Sequence, residues 1–179
     1  IQGQQLYIRL SIGLALYPQD TNDAESLLEH AEMALQMSRE GPGDWVRFHP
    51  DINSNWRRRN RLQTELRQAI ARNEMLLNYQ PYVSLKTGKV AGAEALVRWQ
   101  HPELGLVSPA DFIPMAEETG AIHSIGAWVL EEGIRHAANW RLRFLENFTI
   151  SINVSLLQLE DPHFAESVTA LLATHHLPG

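Results

Sequence analysis

The order of elements after residue 75 constrains the fold of this chain more than any other feature. Apolar runs at 75–85 and 90–100 flank a turn that contains Gly88, and this pattern predicts an antiparallel hairpin. Strand and helix patterns then alternate, which is typical of a parallel sheet or an α/β barrel. The elements predicted after the hairpin are a helix capped by Ser108, a helix at 122–144, a strand at 148–155 and a helix from about Pro162 to His175.

The first 73 residues predict a separate arrangement. Apolar residues at 6–17 indicate a strand, helical spacing follows up to Gly41, and residues 45–49 indicate a second, short strand. Residues 51–73 then show helical spacing and carry six arginines. A nucleic-acid surface would combine such arginines with an aromatic platform or a binding motif, and neither accompanies them. A solvated linker helix is therefore favoured.

The overall charge argues against two classes of partner. The 179 residues carry a net charge of −6, whereas general nucleic-acid binding and membrane-surface binding need a basic face. No apolar run approaches the roughly 20 residues that span a bilayer, and the lack of cysteine excludes disulfides and thiolate metal sites. We therefore expect a cytoplasmic location, whether or not an upstream segment anchors the protein to a membrane.

The chain begins without methionine and ends directly after a helical pattern, so we expect it to be a piece of a longer protein.

The strand predicted at 90–100 carries two charged residues on one face. Side chains alternate along a strand, so Glu94 and Arg98 share a face with Gly92 and Leu96. At roughly 3.3 Å per residue, the two charges lie about 13 Å apart along the strand. That spacing is long for a buried ion pair unless both side chains extend toward each other. The alternative is a functional site in which the carboxylate binds a hard divalent cation and the guanidinium binds a phosphate.

Asn153 is a further candidate site residue, in the strand pattern "TISINVS" at 149–155. It lies near the C-terminal end of the strand, where α/β barrels place their sites, and an Asn carbonyl is a hard oxygen ligand. An Asn at this place also suits the N-cap of the next helix. The pattern alone leaves both interpretations open. The histidines of the chain are scattered, without the spacing of a metal-binding motif.

The string "YQPYVSLKTGKVAGAEALVRWQHPELGLVSPADFIPMAEETG" at 79–120 resembles the start of the bacterial EAL domain, a family that hydrolyses cyclic di-GMP. The resemblance covers about residues 62–179 and is specific, because several motifs occur in the order of the family. The motifs that carry it are Glu94-Ala95-Leu96 followed by Arg98, the preceding Tyr79-Gln80-Pro81, "SPADFIPMAEETG", and "SINVS" at 151–155.

This resemblance implies an α/β fold, the N-terminal part of a TIM-barrel-like domain with an altered first strand, which agrees with the predicted hairpin. It implies two Mg²⁺ or Mn²⁺ ions that activate a water for attack on one phosphodiester of cyclic di-GMP, giving the linear dinucleotide. Glu94 and Asn153 would be catalytic residues and metal ligands, Arg98 would bind a substrate phosphate, and Gln80 would line the nucleotide pocket. The family's other catalytic residues lie beyond Gly179, so we expect the 179-residue chain to be inactive alone.

The first 50 residues resemble the C-terminal tail of a GGDEF domain, an α+β, cyclase-like fold. "IRLSIGLALYPQD", "AESLLEHAEMALQMSREG" and "WVRFH" follow the order of that family. Glu32, Arg39 and the turn at 41–44 depart from its pattern, which argues against cyclase activity without excluding it. The expected division is a GGDEF tail at 1–50, a linker helix leading into the EAL domain at 51–73, and the N-terminal part of an EAL domain at 74–179.

The function expected from this resemblance is that of a cyclic di-GMP phosphodiesterase within a GGDEF–EAL signalling protein. One alternative is an inactive EAL-type receptor that binds cyclic di-GMP and signals to partner proteins. The other is a diguanylate cyclase with a regulatory EAL domain. A sensory domain upstream is a further expectation. A homodimer could form through the EAL domain or the linker helix, although the arginines of that helix argue against a tight apolar interface.

Overall fold

The computed structural model describes residues 10–40, 45–143 and 148–178. Their contacts divide the chain into two compact units between Arg61 and Leu62. The parts of the sequence predictions that concern residues 6–9, the turn at 41–44 and residue 144 lie outside the described residues.

The first unit contains a β-α-β arrangement. β1 (Ile12–Leu14) and β2 (Trp45–Arg47) pair in parallel, with α1 (Ala24–Glu40) between them in sequence. The strand predicted at 6–17 is too long, because the backbone N–H of Leu16 donates to the Asp20 carboxylate (2.7 Å) instead of continuing the strand. The buried core of this unit consists of Met33, Ala34, Phe48 and Ile52.

The helix α2 (Pro50–Leu66) is shorter than the helix predicted at 51–73. Beyond its end, Ala69 donates its backbone N–H to the carbonyl of Leu66, three residues back, and Asn73 has a left-handed φ of 55°. The regular α-helical hydrogen bonding therefore stops before the next strand. Leu66, in the last turn of α2, is 1% exposed and belongs to the core of the second unit.

The second unit is a mixed sheet with helices. Its strands and helices, in chain order, are β3 (Met75–Val83), β4 (Val90–His101), β5 (Gly105–Val107), α3 (Pro109–Thr119), α4 (Ala121–Arg143), β6 (Thr149–Ile152), α5 (Leu156–Leu159) and α6 (Phe164–Thr174).

The strand β4 is the centre of this sheet. It forms the predicted antiparallel hairpin with β3. On its other edge it pairs in parallel with β6 through residues 92–95, and antiparallel with β5 through residues 99–101. Residues 96–98 of β4 therefore lie between these two shorter strands.

One face of the sheet packs against α3 and α4. Ala93, Ala95 and Trp99 of β4 point to this face and are 3%, 2% and 0% exposed. Trp99 packs edge-on against Phe112 of α3, with 6.0 Å between the ring centroids. The helix α3 begins as predicted, because the Ser108 side chain accepts a hydrogen bond from the backbone N–H of Ala110 (3.3 Å).

A buried histidine joins α2 to the sheet. The Nδ1 atom of His101 accepts hydrogen bonds from the backbone N–H groups of Glu103 and Leu104, both at 3.2 Å. The neutral ring therefore carries its proton on Nε2, which donates to the carboxylate of Glu65 in α2. This hydrogen bond fixes the last turn of α2 against the C-terminal end of β4.

Candidate functional site

The face of the sheet opposite α3 and α4 is polar. Gln80 of β3, Glu94 of β4 and Ser151 of β6 lie in one row, because Glu94 is the register partner of both other residues. Register partners direct their side chains to the same face. Gln80 and Ser151 are exposed, and Glu94 is partly buried. The sheet thus brings two of the predicted site residues, Gln80 and Glu94, side by side.

Glu94 and Asn153 are in direct contact, although 59 positions separate them: the Nδ2 atom of Asn153 donates to Oε1 of Glu94 at 2.7 Å. Asn153 lies directly after β6, two residues beyond Ser151, so it projects to the same face as the register partner of Glu94. The interpretation of Asn153 as a helix cap is wrong, since Ser155 is the N-cap of α5.

Arg98 lies on the same face as Glu94, nearer the C-terminal end of β4. Its Nη1 atom donates to the carbonyl oxygen of Val97 at 2.8 Å. Among the described contacts, Glu94 bonds to Asn153 rather than to Arg98, so the direct ion pair considered from the sequence is not formed. A guanidinium has five N–H donors, and the bond to Val97 therefore leaves donors for an anion.

A cavity of about 300 Å³ lies beside Arg98 and Asn153. It extends between β4, α3, α4 and the segment that leads into α5. A volume of this size is at the lower end of small-molecule pockets. Its apolar wall includes Ile113, Ile125 and Val129, and its polar groups include Arg98, Glu117 and Asn153.

On the helix-covered face, Tyr79 is held next to Gln80 by a polar cluster of α4. Burial, and then the negative charge of Glu132, raises the pKa of Tyr79 to about 12. Burial, and then the positive charge of Arg135, lowers the pKa of His136. Because Arg135 can only donate, its contact with Nε2 of His136 (3.1 Å) leaves the ring proton on Nδ1, which donates to the Tyr79 hydroxyl (2.5 Å). This cluster fixes the strand that carries Gln80.

Sequence reasoning missed the residues that hold the chain just after Asn153. Ser155 and Gln158 form a capping box at the start of α5, and the Ser155 hydroxyl donates to Oε1 of Glu117 at 2.6 Å. The spacing of serine and glutamine at 155–158 is a capping-box signal that could have been found from the sequence. Nothing in the sequence links Glu117, on α3, to this point.

The site offers few acidic groups for a metal. Within residues 10–40, 45–143 and 148–178, no group of three or more His, Cys, Asp or Glu side chains could hold a metal ion. Glu94 on β4 and Asn153, directly after β6, both carry side-chain oxygen atoms, and oxygen atoms are the ligands that Mg²⁺ and Mn²⁺ prefer.

Comparison with known proteins identifies the family. Residues 63–179 match the family model of the EAL domain. This chain belongs to the EAL domain family. The matched range contains Gln80, Glu94, Arg98 and Asn153, and it begins within the last turn of α2.

Several relatives of this EAL domain carry descriptions of function. MucR of Pseudomonas aeruginosa, described as a bifunctional diguanylate cyclase/cyclic di-GMP phosphodiesterase, is 36% identical over 99% of this chain. PdeR of Escherichia coli, described as a cyclic di-GMP phosphodiesterase, is 37% identical over 88% of it. The chain spans only 26% and 24% of the lengths of these two relatives.

Solved structures of EAL domains resemble the mixed α/β fold of this chain. The PaMucR phosphodiesterase in its c-di-GMP complex aligns with a TM-score of 0.63 and 41% sequence identity. The alignment covers 65% of this chain and 47% of that one.

Proposed function

We propose that the protein containing this chain hydrolyses cyclic di-GMP to the linear dinucleotide in bacterial second-messenger signalling. The observation that carries the proposal is the 2.7 Å contact of Glu94 with Asn153 on the sheet face that also holds Gln80 and Arg98. It is supported by relatives described as cyclic di-GMP phosphodiesterases and by a related structure in complex with c-di-GMP.

Glu94 and Asn153 fit a hard divalent cation, Mg²⁺ or Mn²⁺. Their side chains already converge, and each can present an oxygen atom. Asn153 now directs its NH₂ group to Glu94. Rotation of the amide by about 180° exchanges its nitrogen for its oxygen at nearly the same place. When bound, the two ions expected for a complete EAL domain would supply an activated water and positive charge for the phosphodiester oxygens.

Arg98 and Gln80 would bind the substrate. The guanidinium of Arg98 matches the oxygens of a phosphate in a bidentate manner. Gln80 is exposed directly across from Glu94, and its amide has donors and acceptors for the edge of a base. In the reaction, the water oxygen forms a bond to phosphorus, one P–O ester bond breaks, and the leaving sugar oxygen takes up a proton.

The two units fit the expected parent domains. A parallel β4–β6 pair with helices on one face is compatible with the N-terminal part of a TIM-barrel-like domain. The parallel β-α-β arrangement of the first unit is compatible with the tail of a GGDEF domain. The alignment of bifunctional MucR along 99% of this chain supports that assignment. The division at 1–50, 51–73 and 74–179 stays a prediction.

The 179-residue chain is proposed to be inactive alone. A two-ion site needs more ligands than Glu94 and Asn153 supply. Among the described strands, β6 pairs only with β4, so its other edge is open to a further strand. Metal-dependent turnover of cyclic di-GMP by the isolated chain would contradict this part of the proposal.

Within the part of the chain that the structure describes, no helix has the length and apolar character needed to cross a membrane. A cytoplasmic site of action, an upstream sensory domain and a homodimer through the EAL domain or α2 remain predictions. Light scattering of the full-length protein would test the dimer.

The decisive test is turnover by the full-length protein that contains this sequence. With Mn²⁺ and cyclic di-GMP, we expect release of the linear dinucleotide, measured by liquid chromatography. Glu94→Gln removes the anionic oxygen at nearly constant size and is expected to lower kcat by about 100-fold or more. Glu131→Gln, which changes an exposed carboxylate on α4, is the matched control and should leave kcat unchanged.

Two results would contradict parts of this proposal, the first of them hydrolysis and the second the role of Glu94. Binding of cyclic di-GMP without turnover would favour the receptor alternative. Turnover that is equal in the Glu94→Gln and control proteins would remove Glu94 from the reaction.

A further inference from the structure

The segment that follows Asn153 is anchored on two helices. Ser155 donates its hydroxyl to Glu117 of α3 at 2.6 Å. The same side chain accepts a hydrogen bond from the backbone N–H of Leu157 (3.4 Å), while the backbone N–H of Ser155 donates to Oε1 of Gln158 (3.2 Å). Ser155 is thus fixed through both its side chain and its backbone.

Gln158 carries this anchoring to α4. Its side chain is nearly buried, with 5% exposure, which is unusual for a glutamine. It lies flat against Gly126, where an added Cβ atom would approach its Nε2 atom to 2.0 Å. The glycine therefore provides the space that the amide occupies. A buried amide is retained at a free-energy cost unless its hydrogen bonds are made, and one of them fixes Ser155.

The anchored residue is close to the candidate metal ligand. Ser155 is two residues from Asn153, so the two Cα atoms are at most about 7 Å apart. To share an ion, the ligand oxygens of Asn153 and Glu94 must both lie within a few tenths of an ångström of the preferred metal–oxygen distance. A displacement of Ser155 would be transmitted to Asn153 through a single intervening residue, Val154, which is 37% exposed.

We infer that Glu117, which binds Ser155, and Gln158, which packs on Gly126, are positioning residues that set the place of Asn153 relative to Glu94. This inference rests on the proposed function, because it assumes that Asn153 binds a divalent ion. Glu117 and Gln158 act on the ion only through Ser155 and the backbone. Ligand supports of this kind typically change metal affinity or activity by 10–100-fold when they are removed.

The test measures Mn²⁺ binding directly in the full-length protein without substrate, by the electron paramagnetic resonance signal of free Mn²⁺. Glu117→Ala and Gln158→Ala are expected to weaken Mn²⁺ binding by about 10–100-fold and to lower kcat, with KM for cyclic di-GMP nearly unchanged. Glu117→Gln keeps an oxygen that can accept from Ser155 and should restore most of the affinity. Glu131→Ala is the control and should bind Mn²⁺ as the unmodified protein does.

A second pair of variants distinguishes the loss of this contact from a general loss of folding. Gly126→Ala should weaken Mn²⁺ binding because the new Cβ atom displaces Gln158. Adding Gln158→Ala removes the obstructed side chain, so the double variant should be no worse than Gln158→Ala alone. If the losses of Mn²⁺ affinity in the two single variants simply multiplied in the double variant, the proposed contact between Gly126 and Gln158 would be contradicted.

The remaining outcomes distinguish a failure of the positioning role from a failure of the proposed function. Variants that lower the unfolding temperature but keep the Mn²⁺ affinity and kcat of the unmodified protein would overturn the positioning role. If the unmodified protein neither binds Mn²⁺ nor hydrolyses cyclic di-GMP, the proposed function fails, and the inference fails with it.

Discussion

At the scale of single residues, the orientation of Asn153 has a testable consequence. Its NH₂ group is the hydrogen-bond donor for Glu94 at 2.7 Å. Asn153→Asp would replace this donor by a second carboxylate, and repulsion from Glu94 would raise the pKa of the introduced carboxyl. Without metal at pH 7.5, we expect the free energy of unfolding to fall by about 1.5–3 kcal/mol. Urea denaturation in a chelator measures this loss.

The sign of the pH dependence follows from that repulsion. At low pH the introduced carboxyl is protonated and can donate to Glu94, so the loss in Asn153→Asp should shrink as the pH falls toward 5. Added Mn²⁺ should recover more stability in Asn153→Asp than in Asn153→Ala, because only aspartate supplies an oxygen. Equal recovery in the two variants would argue against a shared metal site.

Residue alternation alone predicted that Glu94 and Arg98 share a face, and the structure confirms it. The distance between Glu94 and Asn153 could not be predicted in the same way. It depends on the parallel register that sets Glu94 opposite Ser151, and register is a property of two strands that lie far apart in sequence. The role of Glu117 was hidden for the same reason, since its partner Ser155 lies on another element.

At the scale of elements, Gly92 allows β3, β4 and β6 to pack closely. Tyr82 of β3 crosses over Gly92 and hydrogen-bonds through its hydroxyl to Thr149 of β6. An added Cβ atom at Gly92 would lie 2.2 Å from that hydroxyl and 2.4 Å from the Thr149 carbonyl oxygen. We expect Gly92→Ala to lower the free energy of unfolding by about 1–3 kcal/mol or more, measured by thermal or urea denaturation.

A companion variant distinguishes the two obstructions at Gly92. Tyr82→Ala removes the ring but not the carbonyl of Thr149, so Gly92→Ala combined with Tyr82→Ala should remain destabilised relative to Tyr82→Ala alone. Full rescue would show that the ring is the sole obstacle. This behaviour differs from that expected at Gly126, where the contacts are with the side chain of Gln158.

Two long periodic segments were predicted well, and the short strand predicted at 45–49 contains β2 (Trp45–Arg47), but other short elements were missed. The hairpin and α4 were expected within one or two residues of their described bounds. β5 and α5 were missed because three or four residues cannot display a period. The strand expected at 148–155 is limited to Thr149–Ile152, since Ser155 turns the chain into α5. Such ends are set by side-chain hydrogen bonds, which the helix and strand propensities of the residues do not predict.

At the scale of the whole molecule, α2 contributes to both units. Leu66, 1% exposed, lies in the core of the second unit, although the helix begins at Pro50 in the first. We expect Leu66→Ala to lower the free energy of unfolding of the second unit by about 2–5 kcal/mol, as for other buried leucines. Leu142→Ala, at an 86% exposed position on α4, is the control and should change it little. Differential scanning calorimetry of the full-length protein measures both.

If Leu66→Ala lowered only the transition of the first unit, the division of the chain between Arg61 and Leu62 would be wrong. The sequence indicated two parts joined by a helix. It did not show that the last turn of that helix is buried in the second part, because the pattern of Leu62 and Leu66 is the same whichever unit they face.

The alternation of side chains along β4 also restricts which deletions this strand can tolerate. One face of β4 carries Glu94 and Arg98, and the other carries Trp99 against α3. Deleting one codon between the hairpin turn and Glu94 would, if pairing to the turn were kept, direct both charges at the helices and Trp99 away from them. Deleting two codons would keep every side chain on its own face and change only its position along the strand. Within this strand, length variation is therefore tolerable only in steps of two residues.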